Sequence, residues 1–226
     1  MAPGLYPRSG TTYTRVVLLH DNPRSNNAQK VRFLLAELGL DYERREVPFG
    51  EARPAWHRAV NPVGGIPALV DGDLRLAESG AILRYLAARA GRDDLYPADL
   101  ADRARVDWVL DAVGMTLRPL LREVERPALG WRPKRGIDAA PRDAAAGAEA
   151  LRTAAPALDA FAALLDDASP WACLGRFTLP DVAGAPMLHR LRRSGLDLGA
   201  VPRLVAWSDV VCTRPAWQPV AEEAGV

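Results

Sequence analysis

The first ninety residues predict an α/β unit, and the chain beyond them predicts helices. Three observations carry this reading. Apolar residues run unbroken from Val16 to Leu19, as in a strand buried on both faces. Val31, Leu34, Leu35 and Leu38 then recur at helical spacing. Far downstream, Thr178 with Asp181 makes a capping box, the hydroxyl at a helix start answered by a carboxylate three positions on.

Asp21-Asn22-Pro23-Arg24 ends the first strand, and a helix follows. Ser25, Asn26 or Asn27 can cap its start, and Gly39 supplies its stop. Asp41 to Val47 reads as a second strand, and Pro54 to Val60 as a short helix. Pro67 to Leu76 reads as a hairpin turned by Asp71-Gly72, after which Glu78 to Ala90 closes the unit as a helix. Residues 91–100, with Gly91 and Pro97 among charges, form a linker. The expected division is a flexible tail over 1–14, an α/β domain over 15–90, the linker, and a helical domain over 101–226.

With 226 residues the chain can give each half its own core. The formal net charge is +1, and the arginines are spread along the chain without a basic block interleaved with aromatics, so neither nucleic acid nor an anionic membrane is called for. No apolar run approaches the length of about 20 residues that spans a bilayer. The first fourteen residues lack the apolar stretch of a signal peptide, and a cytoplasmic protein is expected. Cys173 and Cys212 stand outside any close-spaced pair and read as reduced, buried thiols. His20, His57 and His189 have no metal-ligand spacing, and His20, at the end of the first strand, takes a structural role. No metal is expected.

Three local motifs give the chain a family resemblance. Ser25-Asn26-Asn27-Ala28-Gln29-Lys30-Val31-Arg32, Asn61-Pro62-Val63-Gly64-Gly65-Ile66-Pro67 and Glu78-Ser79-Gly80-Ala81-Ile82, in the order β-α-β-α-β-β-α, resemble the thioredoxin-like half of a cytosolic glutathione transferase. The Thr178–Asp181 box, with a helix through Val182, Ala185, Leu188 and Leu191, is similar to one in that family's all-helical half. Arg214-Pro215-Ala216-Trp217 looks like its final turn and helix. The resemblance covers roughly residues 15 to 223. It implies a thioredoxin-like domain followed by an all-α domain, glutathione as co-substrate, a small apolar electrophile as second substrate, and a homodimer. Lys30 and Lys134 are the only lysines, and this arginine bias with many alanines suggests a GC-rich bacterial genome.

A thiol has a reference pKa of about 8.5, and each unit of depression requires about 1.4 kcal/mol of preference for the thiolate. A helix N-terminus supplies unpaired amides and partial positive charge, and a hydroxyl in the preceding loop adds a directed donor. Ser25, Asn26 and Asn27 stand at such a place; as a plainer role they cap the helix. The family's non-tyrosine members carry a catalytic Ser or Cys six positions before the hydrophobic residue of the Lys-Val type pair, which here is Ser25. A related bacterial group uses Thr there with Asn two residues on, which matches Asn27. Tyr6 and Tyr13 precede the first strand, against the tyrosine-dependent classes.

The resemblance further implies a cis bond before Pro67, with the backbone of Ile66 pairing with the cysteinyl part of glutathione. Ser79 would hold the γ-glutamyl carboxylate and Glu78 its ammonium. Where many members place Lys or Gln for the glycyl carboxylate, this chain has Gly65, and Arg53, His57 or Arg58 are the candidate substitutes. Trp108, Ala112 and Met115 recur at helical spacing and are the expected lining of an apolar pocket, with Thr116 or Arg118 as polar contacts. Asp107 and Asp111, on the same helix, are candidates to reach a partner subunit's site. Residues 130–141, with Trp131, Lys134 and Gly136, read as a surface loop that can also cover the pocket. The competing readings are an isomerase of the zeta kind, whose Ser-Ser-Cys stretch appears here as Ser25-Asn26-Asn27, and a non-catalytic dimeric binding protein.

Overall fold

The computed structural model describes residues 15–50 and 52–225, so the expected tail over 1–14 lies outside the described residues. β1 (Val17–Asp21) is followed by α1 (Asn26–Glu37), β2 (Tyr42–Glu46), the single turn α2 (Ala55–Arg58), β3 (Ala68–Asp71), β4 (Leu74–Ala77) and α3 (Ser79–Arg89). The sheet order is β2-β1-β3-β4, with β1 parallel to β2 across the α1 crossover and antiparallel to β3. This is the thioredoxin-like arrangement, and everything after it is helical: α4 (Leu100–Ala112), a π-helical turn (Val113–Leu117), α5 (Arg118–Ala128), α6 (Ala144–Ala162), α7 (Leu179–Leu191), α8 (Pro202–Cys212) and α9 (Gln218–Ala224).

Several expected boundaries move. Strand β1 runs through Asp21, one residue beyond the end expected at His20, because Asp21 still pairs with Glu46 of β2 while Arg32 and Arg44 compensate its buried carboxylate. The hairpin turns at Gly72 and Asp73, since Asp71 still pairs with Leu74, and Gly72 takes φ +63. The helix expected over Pro54 to Val60 keeps only the four residues of α2.

Helix α1 is buried against the sheet on one side and the helical half on the other, with Val31, Phe33, Leu34 and Leu35 fully covered. Helix α7 forms the centre of the helical half, all its residues but His189 being buried. Its start is the expected box. The Asp181 carboxylate accepts from the Thr178 amide at 2.8 Å, and it also accepts from the Ala172 amide at 2.8 Å and Trp207 Nε1 at 2.7 Å. Burial pushes this carboxyl up to about 6 against those donors. Gly184 lets Trp207 lie against α7, where any Cβ would overlap its ring.

The C-terminal segment closes back onto the sheet half. Trp217 is fully buried against Phe33, with ring centroids 5.5 Å apart. Glu223 pairs with Arg44 at 2.6 Å and with Arg32, and Arg44 also meets Asp21 at 2.8 Å. Both cysteines are free and buried, and burial raises the Cys212 thiol to about 12. Among the described residues no helix is long and apolar enough to cross a membrane, and no group of three His, Cys, Asp or Glu could hold a metal ion.

Candidate active site

A cleft of about 560 Å³ lies between the sheet half and the helical half. The start of α1 lines one wall with Ser25, Asn26 and Asn27. Ser25 is the helix N-cap, and its Oγ accepts from the Ala28 amide at 3.4 Å. That bond is long and uses only the oxygen, so the hydroxyl proton remains available for an anion in the cleft. The approach to Ser25 is held by the Asn22 side chain, which accepts from the Arg24 amide at 3.1 Å and donates to the Val47 carbonyl at 3.0 Å. Asn27 is half-buried one helical position beyond Asn26.

Gly65 and Ile66 line the neighbouring wall, and the Ile66–Pro67 bond is cis, as the resemblance implied. This loop is braced from behind. His57 Nε2 lies 2.9 Å from the Gly65 carbonyl, which can only accept, so that nitrogen carries the proton. Burial, the largest influence, lowers the His57 pKa and keeps the ring neutral. Its Nδ1 therefore accepts from His20 Nδ1 at 3.1 Å, and burial together with His57 lowers His20 to about 4. Asn61 Nδ2 also donates to the Gly65 carbonyl, at 2.9 Å, and Arg53 Nε donates to the Gly64 carbonyl at 3.0 Å.

These bonds correct two of the expected substitutes for the side chain absent at Gly65. His57 is fully buried and spends one nitrogen on the Gly65 carbonyl and the other on His20, and Arg53 spends its Nε and Nη1 on backbone carbonyls. Arg58, exposed and on the cleft wall, remains for a carboxylate there.

The pairing of Ala68 with Ala77 sets Glu78 and Ser79 beside the Ile66–Pro67 step. Glu78 is the N-cap of α3 at φ +65, a conformation that costs a non-glycine residue about 1–3 kcal/mol. Ser79 opens the helix, whose first amides have no partner within it. Neither residue lines the main cavity.

The helical half contributes a different surface from the one expected. Val106, Val109, Val113 and Leu117 turn into the core, which leaves Trp108 and Met115 on the opposite face, 52% and 80% exposed, with Ala112 half-buried between them. Trp108, Ala112 and Met115 therefore do not line this cleft, nor does Thr116. Arg118 does, with Arg122, Trp131, Lys134 and Arg190. Arg122 follows Arg118 by one helical turn, a spacing visible in the sequence, whereas Arg190 reaches the cleft only through the fold. Asp107 and Asp111 are held by Arg84 of the same chain, at 2.5 and 2.6 Å. The loop over 130–141 is the cover of the cleft, tied across it by Arg24 Nη2 to the Ile137 carbonyl at 2.6 Å and by the Gly50 amide to the Lys134 carbonyl at 3.1 Å.

Comparison with known proteins agrees with this architecture. The family described as glutathione S-transferase, N-terminal domain, matches residues 19–94, and the corresponding C-terminal domain family matches residues 144–209. The chain is 33% identical over 218 residues to glutathione S-transferase GstB of Escherichia coli K12, covering 91% of this chain and 97% of that one. It is 34% identical over 196 residues to a maleylacetoacetate isomerase of Rhizobium meliloti, covering 84% and 88%. A theta class glutathione S-transferase from Xanthomonas axonopodis pv. citri, solved with glutathione bound, superposes with a TM-score of 0.76 at 30% identity, covering 91% of this chain and 96% of that one. With both halves matched and such identity along nearly the whole length, the chain belongs to the glutathione transferase family.

Proposed function

We propose that this glutathione transferase activates the thiol at Ser25, with Asn27 as a second donor, in the manner of the family's serine-dependent members. The observation that carries this is the Ser25 hydroxyl, a helix N-cap on the cleft wall whose oxygen accepts a weak backbone bond and whose proton is unspent. The unpaired amides and positive end of α1 favour the thiolate electrostatically. Residues 15–90 carry the tripeptide: the Ile66 backbone pairs with its cysteinyl unit, Pro67 sets the direction of that segment, and Ser79 and Glu78 take the γ-glutamyl carboxylate and ammonium. Residues 101–226, after the linker over 91–100, hold the second substrate. The thiol proton leaves to solvent as the thiolate forms. The sulfur then attacks the electrophilic carbon, a C–S bond forms, and the leaving group departs with its electron pair.

Thiolate absorbance of bound glutathione, titrated against pH, tests the reading directly. A bound-thiol pKa at least one unit below that of free glutathione is expected. Binding without any depression would leave a protein that keeps the fold and not the chemistry. Ser79→Ala and Glu78→Gln should each weaken glutathione by about 1–3 kcal/mol, the worth of a contact to a charged end.

The similarity to a maleylacetoacetate isomerase supports a second reading, reversible thiolate addition to a cis double bond. Asn27 standing where the zeta kind has Cys counts against it. The protein is proposed to act in the cytoplasm as a homodimer. Exposed Trp108 and Met115 support a second copy covering that face, and sedimentation of a Trp108→Asp, Met115→Asp variant as monomer would bear this out.

A further inference from the structure

The charge of the cleft is one-sided. Among the described residues its charged lining consists of six arginines and Lys134, with no carboxylate, in a chain whose net charge is only +1. Those near the sheet are engaged with the loops or lie beside Gly65, where glutathione ends. The three arginines on the helical half are otherwise placed. Arg118 and Arg190 are 7% and 2% exposed and share one buried carboxylate, Glu125, at 2.7 Å from Arg118 Nη1 and 2.5 Å from Arg190 Nη2. Burial alone would raise the Glu125 carboxyl, and the two guanidiniums hold it below its usual range. Two guanidinium charges thus face one carboxylate charge, which Glu125 alone does not neutralise, and Lys30, buried in the field of both arginines and of Glu125 and Glu78, has its pKa lowered to about 7.

Arg122 stands one turn beyond Arg118 with its guanidinium over the Trp131 ring, 5.1 Å from the centroid, and its buried Nε has no partner. Across the cleft Asn26, 4% exposed, has neither side-chain amide atom paired. Cations buried in excess of their counter-charges are costly, and unpaired polar atoms add to the cost. An oxyanion in the cleft would offset the excess positive charge and accept from the unpaired donors Arg122 Nε and Asn26 Nδ2, and guanidinium forks match a carboxylate in two-point contacts.

We propose that the second substrate of this transferase carries a carboxylate on a flat apolar body, the carboxylate docking against Arg118, Arg122 and Arg190 and the body lying along Trp131. This deepens the function proposed above and rests on it for the thiol. It also replaces the expected apolar electrophile with an anionic one.

Two matched conjugates test the site without requiring turnover: S-(2,6-dinitrophenyl)glutathione and its carboxylated counterpart S-(4-carboxy-2,6-dinitrophenyl)glutathione, titrated calorimetrically at low salt. The wild type should bind the carboxylated conjugate about tenfold more tightly, equivalent to about 1.4 kcal/mol. Arg122→Gln should remove most of that preference and Arg122→Lys should keep part of it. The pair Arg118→Gln with Glu125→Gln, which leaves no lone buried carboxylate, should also diminish it. Equal affinity of the wild type for both conjugates, failure to bind either while glutathione binds, or a preference untouched by these variants would overturn the inference. Turnover of the two parent aryl chlorides separates the other failure. A preserved binding preference with no turnover of either chloride would refute the transferase chemistry and leave the carboxylate site standing.

Discussion

Ser25→Ala removes one oxygen with two jobs, and the structure assigns each a different size. As a cap, the oxygen accepts from the Ala28 amide at 3.4 Å, beyond the usual N–H···O distance of about 2.9–3.0 Å. Loss of the cap should therefore cost about 0.5 kcal/mol, the low end of the range for such residues. As a donor to a thiolate the hydroxyl makes a hydrogen bond to a charged group, worth about 1.5–3 kcal/mol. That is about one to two pKa units on the bound thiol, and a comparable power of ten in kcat/KM at a pH below that pKa. The assay pairs a thiolate absorbance titration of the glutathione complex with urea unfolding of the free protein. The bound-thiol pKa should rise by one to two units while the unfolding midpoint barely moves. If the thiol pKa stays within a few tenths of its original value and only the small stability loss appears, Ser25 is a cap and nothing more. The double variant with Asn27→Ala then shows whether Asn27 does the work, since donors to one sulfur should not act additively.

Gly65→Lys should fold normally, because a Cβ there meets only Asn61 Nδ2 at 3.5 Å, and it should tighten glutathione severalfold at low salt, an effect that shrinks as salt rises; calorimetry that finds no gain would mean Arg58 already serves the glycyl carboxylate. Lys30→Met should stabilise the protein at neutral pH. Burial, with Arg118 and Arg190, lowers the folded-state pKa of Lys30 to about 7, so between about 7 and the ordinary value near 10.4 the unfolded chain binds the extra proton and stability rises with pH. The advantage of the variant in urea unfolding should thus be greatest at or below pH 7 and fade toward pH 10, and a pH-independent difference would contradict the linkage. Gly184→Ala should cost about 1–3 kcal/mol by forcing Trp207 away from α7, read as a lower unfolding midpoint with the denaturant slope unchanged.

The pieces legible in the sequence were those whose physics is local. The helical stripe of α1 with its cap at Ser25 and stop at Gly39 is written within fifteen consecutive residues, and the Thr178–Asp181 box within four. Strand ends were less legible. Asp21 reads as a breaker until Arg32 and Arg44 arrive from other elements to compensate it. In the same way His57 reads as a candidate substitute for the side chain absent at Gly65, and only its distances to His20 and the Gly65 carbonyl reveal a neutral brace.

The sequence alone singled out the start of α1 and the stretch before Pro67 as candidate site segments, because each motif is contiguous in the chain, and the fold brings both to one cleft. Which face of α4 meets the core, and hence which side chains line the cleft, was a tertiary decision. Helical spacing shows that Trp108, Ala112 and Met115 share a face, but it cannot say where that face points. Packing of Val106, Val109, Val113 and Leu117 turned it outward. Arg118, Arg122 and Arg190, separated along the chain by up to seventy-two residues, then share the cleft wall in its place, because charge carried by distant segments becomes a site only when the fold brings them together.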